Sequence, residues 1–184
     1  MNFWIILIIA IVVIVALYVI STYNSLVSLK NKVEDQASQI DVELKRRFDL
    51  IPNLIETVKG YTKHEKETLE SVVNARNKYV SADNLGDQLE ADGELTSAIS
   101  KLFALTESYP DLKANENFMN LQTELSEIEE KIVYARQFYN DSVLMLNNKI
   151  EMFPSNVIAN MFKFTKKDFF EATKEERQNV KVKF

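Results

Sequence analysis

The chain has no cysteine, one histidine, three glycines and three prolines in 184 residues. Without cysteine there is no disulfide framework, no thiolate-held zinc or iron–sulfur centre and no cysteine nucleophile. A single histidine, His64, cannot supply a two-histidine metal motif. Glycine only at 60, 86 and 93 excludes a dinucleotide fingerprint and a P-loop. Basic residues number 22 against 27 acidic ones, a net charge of −5, which speaks against nucleic acid as a partner. No short run alternates apolar and polar residues as a strand would. Charge itself is missing from the start of the chain, where Lys30 is the first charged side chain.

What fills that charge-free start is an unbroken apolar run from Phe3 to Ile20. At 1.5 Å per residue it would reach about 27 Å as a helix, close to the ~30 Å hydrocarbon core of a bilayer. Trp4 near one end, and Tyr18 and Tyr23 near the other, are side chains that settle at membrane interfaces. No basic residue precedes the run, and Ala16-Leu17-Tyr18 is not followed by a small-x-small cleavage site, so it does not resemble a signal peptide. Residues 1–22 therefore read as a retained transmembrane anchor, with the lipid bilayer as partner of residues 3–20. Lys30, Lys32, Lys45, Arg46 and Arg47 follow the run. By the positive-inside rule, a single-pass topology results, with the N-terminus outside and the body in the cytoplasm.

The body, residues 23–159, reads as an elongated antiparallel bundle of about four long helices, making the chain all-α. Leu26, Leu29, Val33, Ala37, Ile40, Leu44, Phe48, Ile51, Ile55 and Val58 recur in steps of three and four, one face of a helix continuous with the anchor. Pro52 predicts a kink and Gly60 a stop. Thr62-Lys63-His64-Glu65 fits a capping box, with Thr62 starting a second helix whose stripe is Leu69, Val72, Val73, Arg76, Tyr79 and Val80. The acidic stretch 81–94 is expected to be partly loop. A third helix is expected over about 87–109, with Leu95, Ile99, Leu102, Phe103 and Tyr109 inward. The fourth runs from Asn115 to Pro154 on Phe118, Leu121, Leu125, Ile128, Ile132, Ala135, Tyr139, Leu146, Ile150 and Phe153.

The run Gln39–Leu54, continued by Val58-Lys59-Gly60-Tyr61 and His64-Glu65, resembles the signature of the LemA family. Further matches are Tyr23-Asn24, Leu26-Val27, Ala75-Arg76, Asn115-Glu116-Asn117-Phe118, Ala135-Arg136, Phe138-Tyr139-Asn140 and Phe153-Pro154-Ser155-Asn156, in consistent order. The resemblance implies a protein of the bacterial inner membrane with one N-terminal span and a helical-bundle domain. Members are often encoded near membrane zinc proteases, and one relative acts in magnetosome membrane formation. It implies no established enzymatic activity. Gln36-Ala37-Ser38 stands where the family often has Ala-Trp-Ser.

No catalytic, cofactor or metal residue is expected. His64-Glu65-Lys66-Glu67-Thr68 lacks the second histidine of a zinc-protease helix. A di-iron bundle needs two Glu-x-x-His pairs, and no serine is bracketed by the glycines of a nucleophile elbow. The candidate polar and interaction residues are Arg46, Arg47, Asp49 and Asn53 around Pro52, with Arg76, Arg136 and Asn140. Arg46–Asp49 and Asp49–Asn53 can share a helical face. Arg76 and Arg136 lie on or beside apolar stripes and need carboxylate or carbonyl partners, since unpaired burial is costly. Such a cluster either holds structural ion pairs or fixes helix register and receives a partner.

Residues 160–184 form a third segment with seven basic and four acidic residues, net +3, and five of the eleven phenylalanines. Packing on the bundle is the simpler role. Contact with anionic lipid or an acidic partner is the alternative, through Lys163, Lys166, Lys167, Phe169 and Phe170. The chain as a whole reads as a non-enzymatic membrane scaffold or adaptor that binds a protein partner, such as a membrane protease. The alternative is a membrane-organising protein that forms a homo-oligomer and contacts lipid.

Overall fold

A computed structural model describes residues 2–62 and 65–170. His64 and the chain beyond Phe170, including the remaining basic residues of the tail, lie outside the described residues. Six helices and no strand occur among the described residues: α1 (Asn2–Lys59), α2 (Lys66–Val80), α3 (Leu85–Thr106), α4 (Pro110–Lys113), α5 (Glu116–Glu151) and α6 (Ser155–Met161). The all-α reading holds, with four long helices and two short ones.

Helix α1 runs 58 residues without a break. Pro52 sits inside it, where it withholds one backbone donor, yet the helix continues to Lys59. Thr62 does not start α2. Its hydroxyl and its amide both donate to the Val58 carbonyl, at 3.0 and 3.1 Å, so it closes α1 instead. The cap of α2 is Glu65, without a side-chain bond to the helix. Residues 81–84 form the loop expected within the acidic stretch, and α3 begins at Leu85, two residues before the expected start. Asn84 caps α3, its Oδ1 accepting from the Asp87 amide at 3.0 Å. Gly86 stands in that first turn, where an added Cβ would come within 3.1 Å of the capping oxygen. Asn115 caps α5 in the same way, accepting from the Phe118 amide at 2.9 Å.

The chain divides into two compact units. One comprises Met1–Ala37 and Gln137–Phe169, the other Ser38–Arg136 and Phe170–Phe184. Helices α1 and α5 contribute to both.

In the second unit, the end of α1 packs with α2, α3 and the start of α5. The Tyr61–Asn115 bond and the Arg46–Glu124 pair show α1 and α5 antiparallel. Lys78–Glu94 and Tyr109–Glu65 show the same for α2 and α3. Ile40, Leu44, Phe48, Ile51, Leu54, Val58, Val72, Leu95, Leu102, Phe118, Leu125 and Ile128 form its core, as the spacing requires. Helix α2 departs from expectation. Val73 and Val80 face outward and Ala75 is buried in their stead.

In the first unit, Leu26, Val33, Tyr139, Val143, Leu146, Ile150, Ile158 and Ala159 are buried. Helix α6 ends in a Schellman cap: the Lys163 amide donates to Asn160 O at 3.2 Å and the Phe164 amide to Ala159 O at 2.9 Å. Lys163 takes the left-handed conformation, φ 59°, that this cap demands and that glycine usually supplies. Within α1, every residue from 3 to 18 is exposed, Trp4 among them. Among the described residues, α1 alone contains a stretch long and apolar enough to cross a membrane.

Candidate functional site

The second unit holds a buried ionic cluster built from three helices. Arg47 follows Leu44 by three residues and precedes Ile51 by four, so helical geometry turns it into the core. It is 1% exposed. Its Nη1 meets Asp92 Oδ1 of α3 at 2.7 Å, and its Nη2 lies 3.6 Å from Glu129 Oε2 of α5. Asp92 sits on the α3 stripe between Leu89 and Leu95 and is buried as deeply as they are. Burial pushes its carboxyl above the ordinary aspartate range. Arg47 and, more weakly, Arg136 pull it back down only in part, and Glu129 adds to the upward push. Among the described residues, four buried side-chain atoms lack a hydrogen-bond partner: Glu43 Oε2, Arg47 Nε and Arg76 Nε in this unit, and Asn156 Oδ1 in the first.

One residue after Arg47, the ring of Phe48 stacks on Tyr79 of α2 at 3.7 Å between centroids and 10° between planes. Burial, then Asp41, Asp49 and Asp92, push the Tyr79 phenol up to about 12. The tyrosine therefore stays neutral at physiological pH and acts as a packing plate.

The sequence-derived candidates separate into distinct settings. Arg47 is the buried hub. Arg46, one residue earlier, faces solvent and meets Glu124 at 3.4 Å rather than Asp49. Asp49 and Asn53 are exposed, and the Asn53 carbonyl accepts the Thr57 hydroxyl. Arg76, Arg136 and Asn140 are half-buried, with Arg136 close enough to act on Asp92. Asp92 and Glu129 complete the cluster and were not among the candidates. Asp92 lies within the expected third helix, in register with Leu89, Leu95, Ile99 and Leu102.

In the first unit the start of the C-terminal segment lies along α5. Lys166 Nζ donates to Glu151 Oε1 at 2.6 Å, which raises the lysine's pKa. Asn147 clamps the backbone of Lys167 from both sides, donating to its carbonyl at 2.8 Å and accepting from its amide at 2.9 Å. The Tyr139 hydroxyl donates to the Asp168 carbonyl at 3.3 Å. Lys163 and Phe169 are exposed and Phe170 is half-buried.

Helix α5 also carries apolar side chains away from its buried face. Tyr134, Phe138 and Met145, four and seven residues apart, share one side and are 50, 57 and 40% exposed. Ile132, Tyr139, Val143 and Leu146 occupy the other. Among the described residues, no group of three or more His, Asp or Glu is placed to hold a metal ion.

Comparison with known proteins matches residues 36–184 to the LemA family. Protein LemA of Metamycoplasma hominis is 28% identical over 158 residues, covering 85% of this chain and 72% of that protein. Magnetosome protein MamQ 2 of Paramagnetospirillum magneticum is 23% identical over 175 residues, covering 81% of this chain. Magnetosome protein MamQ of Magnetospirillum gryphiswaldense is 23% identical over 174 residues, covering 80% of it. The chain spans 64% of the length of each of these magnetosome proteins.

Proposed function

This chain belongs to the LemA family, as a membrane-associated member, and from that premise we propose that it is a non-enzymatic scaffold or adaptor. In this reading α1 anchors it by one span in a bacterial inner membrane, N-terminus outside, and the helical body binds a protein partner in the cytoplasm. The basic flank from Lys30 to Arg47 supports that orientation.

The observation that carries the proposal is the outward strip Tyr134–Phe138–Met145 on α5. Large apolar and aromatic side chains on the solvent side of a helix contribute nothing to the core, and such side chains are what a partner buries first. The buried Arg47–Asp92–Glu129 cluster has the complementary role of holding α1, α3 and α5 of the second unit in one register. Neither the family description nor the relatives' names denotes an enzyme.

The test is photo-crosslinking in intact membranes from a reactive group placed at Tyr134, beside a Phe138→Glu variant. A specific adduct that Phe138→Glu removes, with the melting temperature unchanged, supports a docking strip. Adducts indifferent to Phe138→Glu overturn it. Adducts joining two copies of the chain support instead the self-associating, membrane-organising role.

A further inference from the structure

Residues 152–162, Met-Phe-Pro-Ser-Asn-Val-Ile-Ala-Asn-Met-Phe, carry no ionisable side chain. They form the turn out of α5 and the whole of α6. Ser155, Ile158 and Ala159 are buried. Met152, Phe153, Val157, Met161 and Phe162 are left outside. Phe153 is 83% exposed, Met152 61% and Met161 58%. Val157 and Met161, four apart, share one face of α6.

The position of this corner follows from contacts inside the first unit. From Lys166 to Asp168 the tail bonds to Glu151, then Asn147, then Tyr139, running back along α5. The α5–α6 turn is therefore the far end of that pair. The Phe162 ring lies 4.7 Å from Tyr23, and Phe164 5.9 Å from it. Tyr23 is three residues past Ile20, about 4.5 Å of helical rise beyond the apolar run. The corner is thus level with the end of the span.

We infer that the α5–α6 corner is a second membrane contact, its Met152, Phe153, Val157 and Met161 side chains entering the interfacial layer of the bilayer that α1 crosses. An interfacial helix needs an apolar face at the depth of the headgroups, aromatic side chains at that level and basic residues at its border. Helix α6 has all three: Val157 and Met161 outward, the Tyr23–Phe162 pair beside it, and exposed Lys163 as the first charge after eleven neutral residues. The Schellman cap fixes the turn at Lys163 and sends the following chain back along α5. The patch itself runs without charge along its full length, with Lys163 and the exposed Glu151–Lys166 pair at its edges.

The absence of native cysteine allows single labels on the full-length chain. Phe153→Cys and, separately, Met161→Cys carry an environment-sensitive NBD fluorophore in vesicles of phosphatidylcholine and phosphatidylglycerol. Both positions are exposed, so neither change touches the core. We expect blue-shifted emission, protection from aqueous iodide, and loss of most emission when the lipids carry a nitroxide high on the acyl chain. Quenching by iodide and not by the lipid nitroxide places the corner in water and overturns the inference. Protection from both quenchers means that a protein, a second copy included, covers the corner, and overturns it equally.

Discussion

The two units bury polarity in different ways. The second encloses full charges, Arg47 and Asp92, whereas every buried polar side chain described in the first is neutral: Thr22, Ser142, Asn147 and Ser155. Three of these bond to backbone, Ser142 Oγ donating to Phe138 O at 2.8 Å, Ser155 Oγ to Lys149 O at 2.7 Å, and Asn147 holding Lys167. Ion pairing across helices is strongly directional and punishes the loss of one partner. Amide and hydroxyl bonds to backbone are individually weaker and indifferent to pH near neutrality. Specificity in the second unit therefore rests on charge, and in the first on local clamps.

The sharpest way to break this contrast is at Arg47. Arg47→Leu leaves Asp92 buried without its closest cation and should cost about 3–5 kcal/mol at neutral pH. Denaturant titration of the full chain in detergent measures it, and hydrogen exchange should localise the loss to residues 38–136. Replacing both Arg47 and Asp92 by leucine should recover most of the stability. The pH profile follows from the raised Asp92 pKa. The folded chain holds that proton to higher pH than the unfolded chain does. Its contribution is therefore present below the ordinary aspartate value, about 3.9, and is lost as pH rises through the raised folded value. Removing Arg47 removes the main downward pull. The variant should accordingly lose stability more steeply than the native chain as pH climbs, and a flat difference between the two would refute this assignment.

A smaller effect belongs to the first unit. Asn147→Ala breaks both bonds to Lys167 and should cost about 1–3 kcal/mol, with no change of slope near neutral pH. Faster exchange or proteolysis confined to residues 163–168 would show that the clamp acts locally. Smallest of all is Arg46→Ala. Its pair with Glu124 is half-exposed, and such pairs are worth about 0.2–1 kcal/mol. A cost comparable to that of Arg47→Leu would mean that adjacent arginines share one network after all.

The stripes of α1 and α5 were legible because Ile40, Leu44, Phe48 and Ile51, or Leu125, Ile128 and Ile132, recur at helical spacing and nothing competes for the inward place. Helix α2 was harder. Val72 and Val73 are equally apolar, and the choice between them depends on the partner surface, where Ala75 allows close approach. Thr62 matched a local motif, but the Val58 carbonyl next to it was the nearer acceptor. Arg47 stood among the polar candidates around Pro52. Its pairing with Asp92 was not legible, because it joins residues 45 positions apart and depends on which helices meet. The exposed corner around Phe153 escaped for the opposite reason, since apolar residues continuing a stripe look inward until the helix is seen to end.

The single tryptophan gives the comparison a handle of its own. Trp4 stands exposed inside the apolar run of α1, while all seven tyrosines lie at residue 18 or beyond. Light that excites only indole therefore reports on the span's surroundings and is blind to the ionic cluster of residues 38–136. A thermal melt followed by tryptophan emission can stay featureless while that cluster comes apart. The same sample followed by circular dichroism registers the collapse, so the two optical signals separate events at the two ends of α1 without any added label.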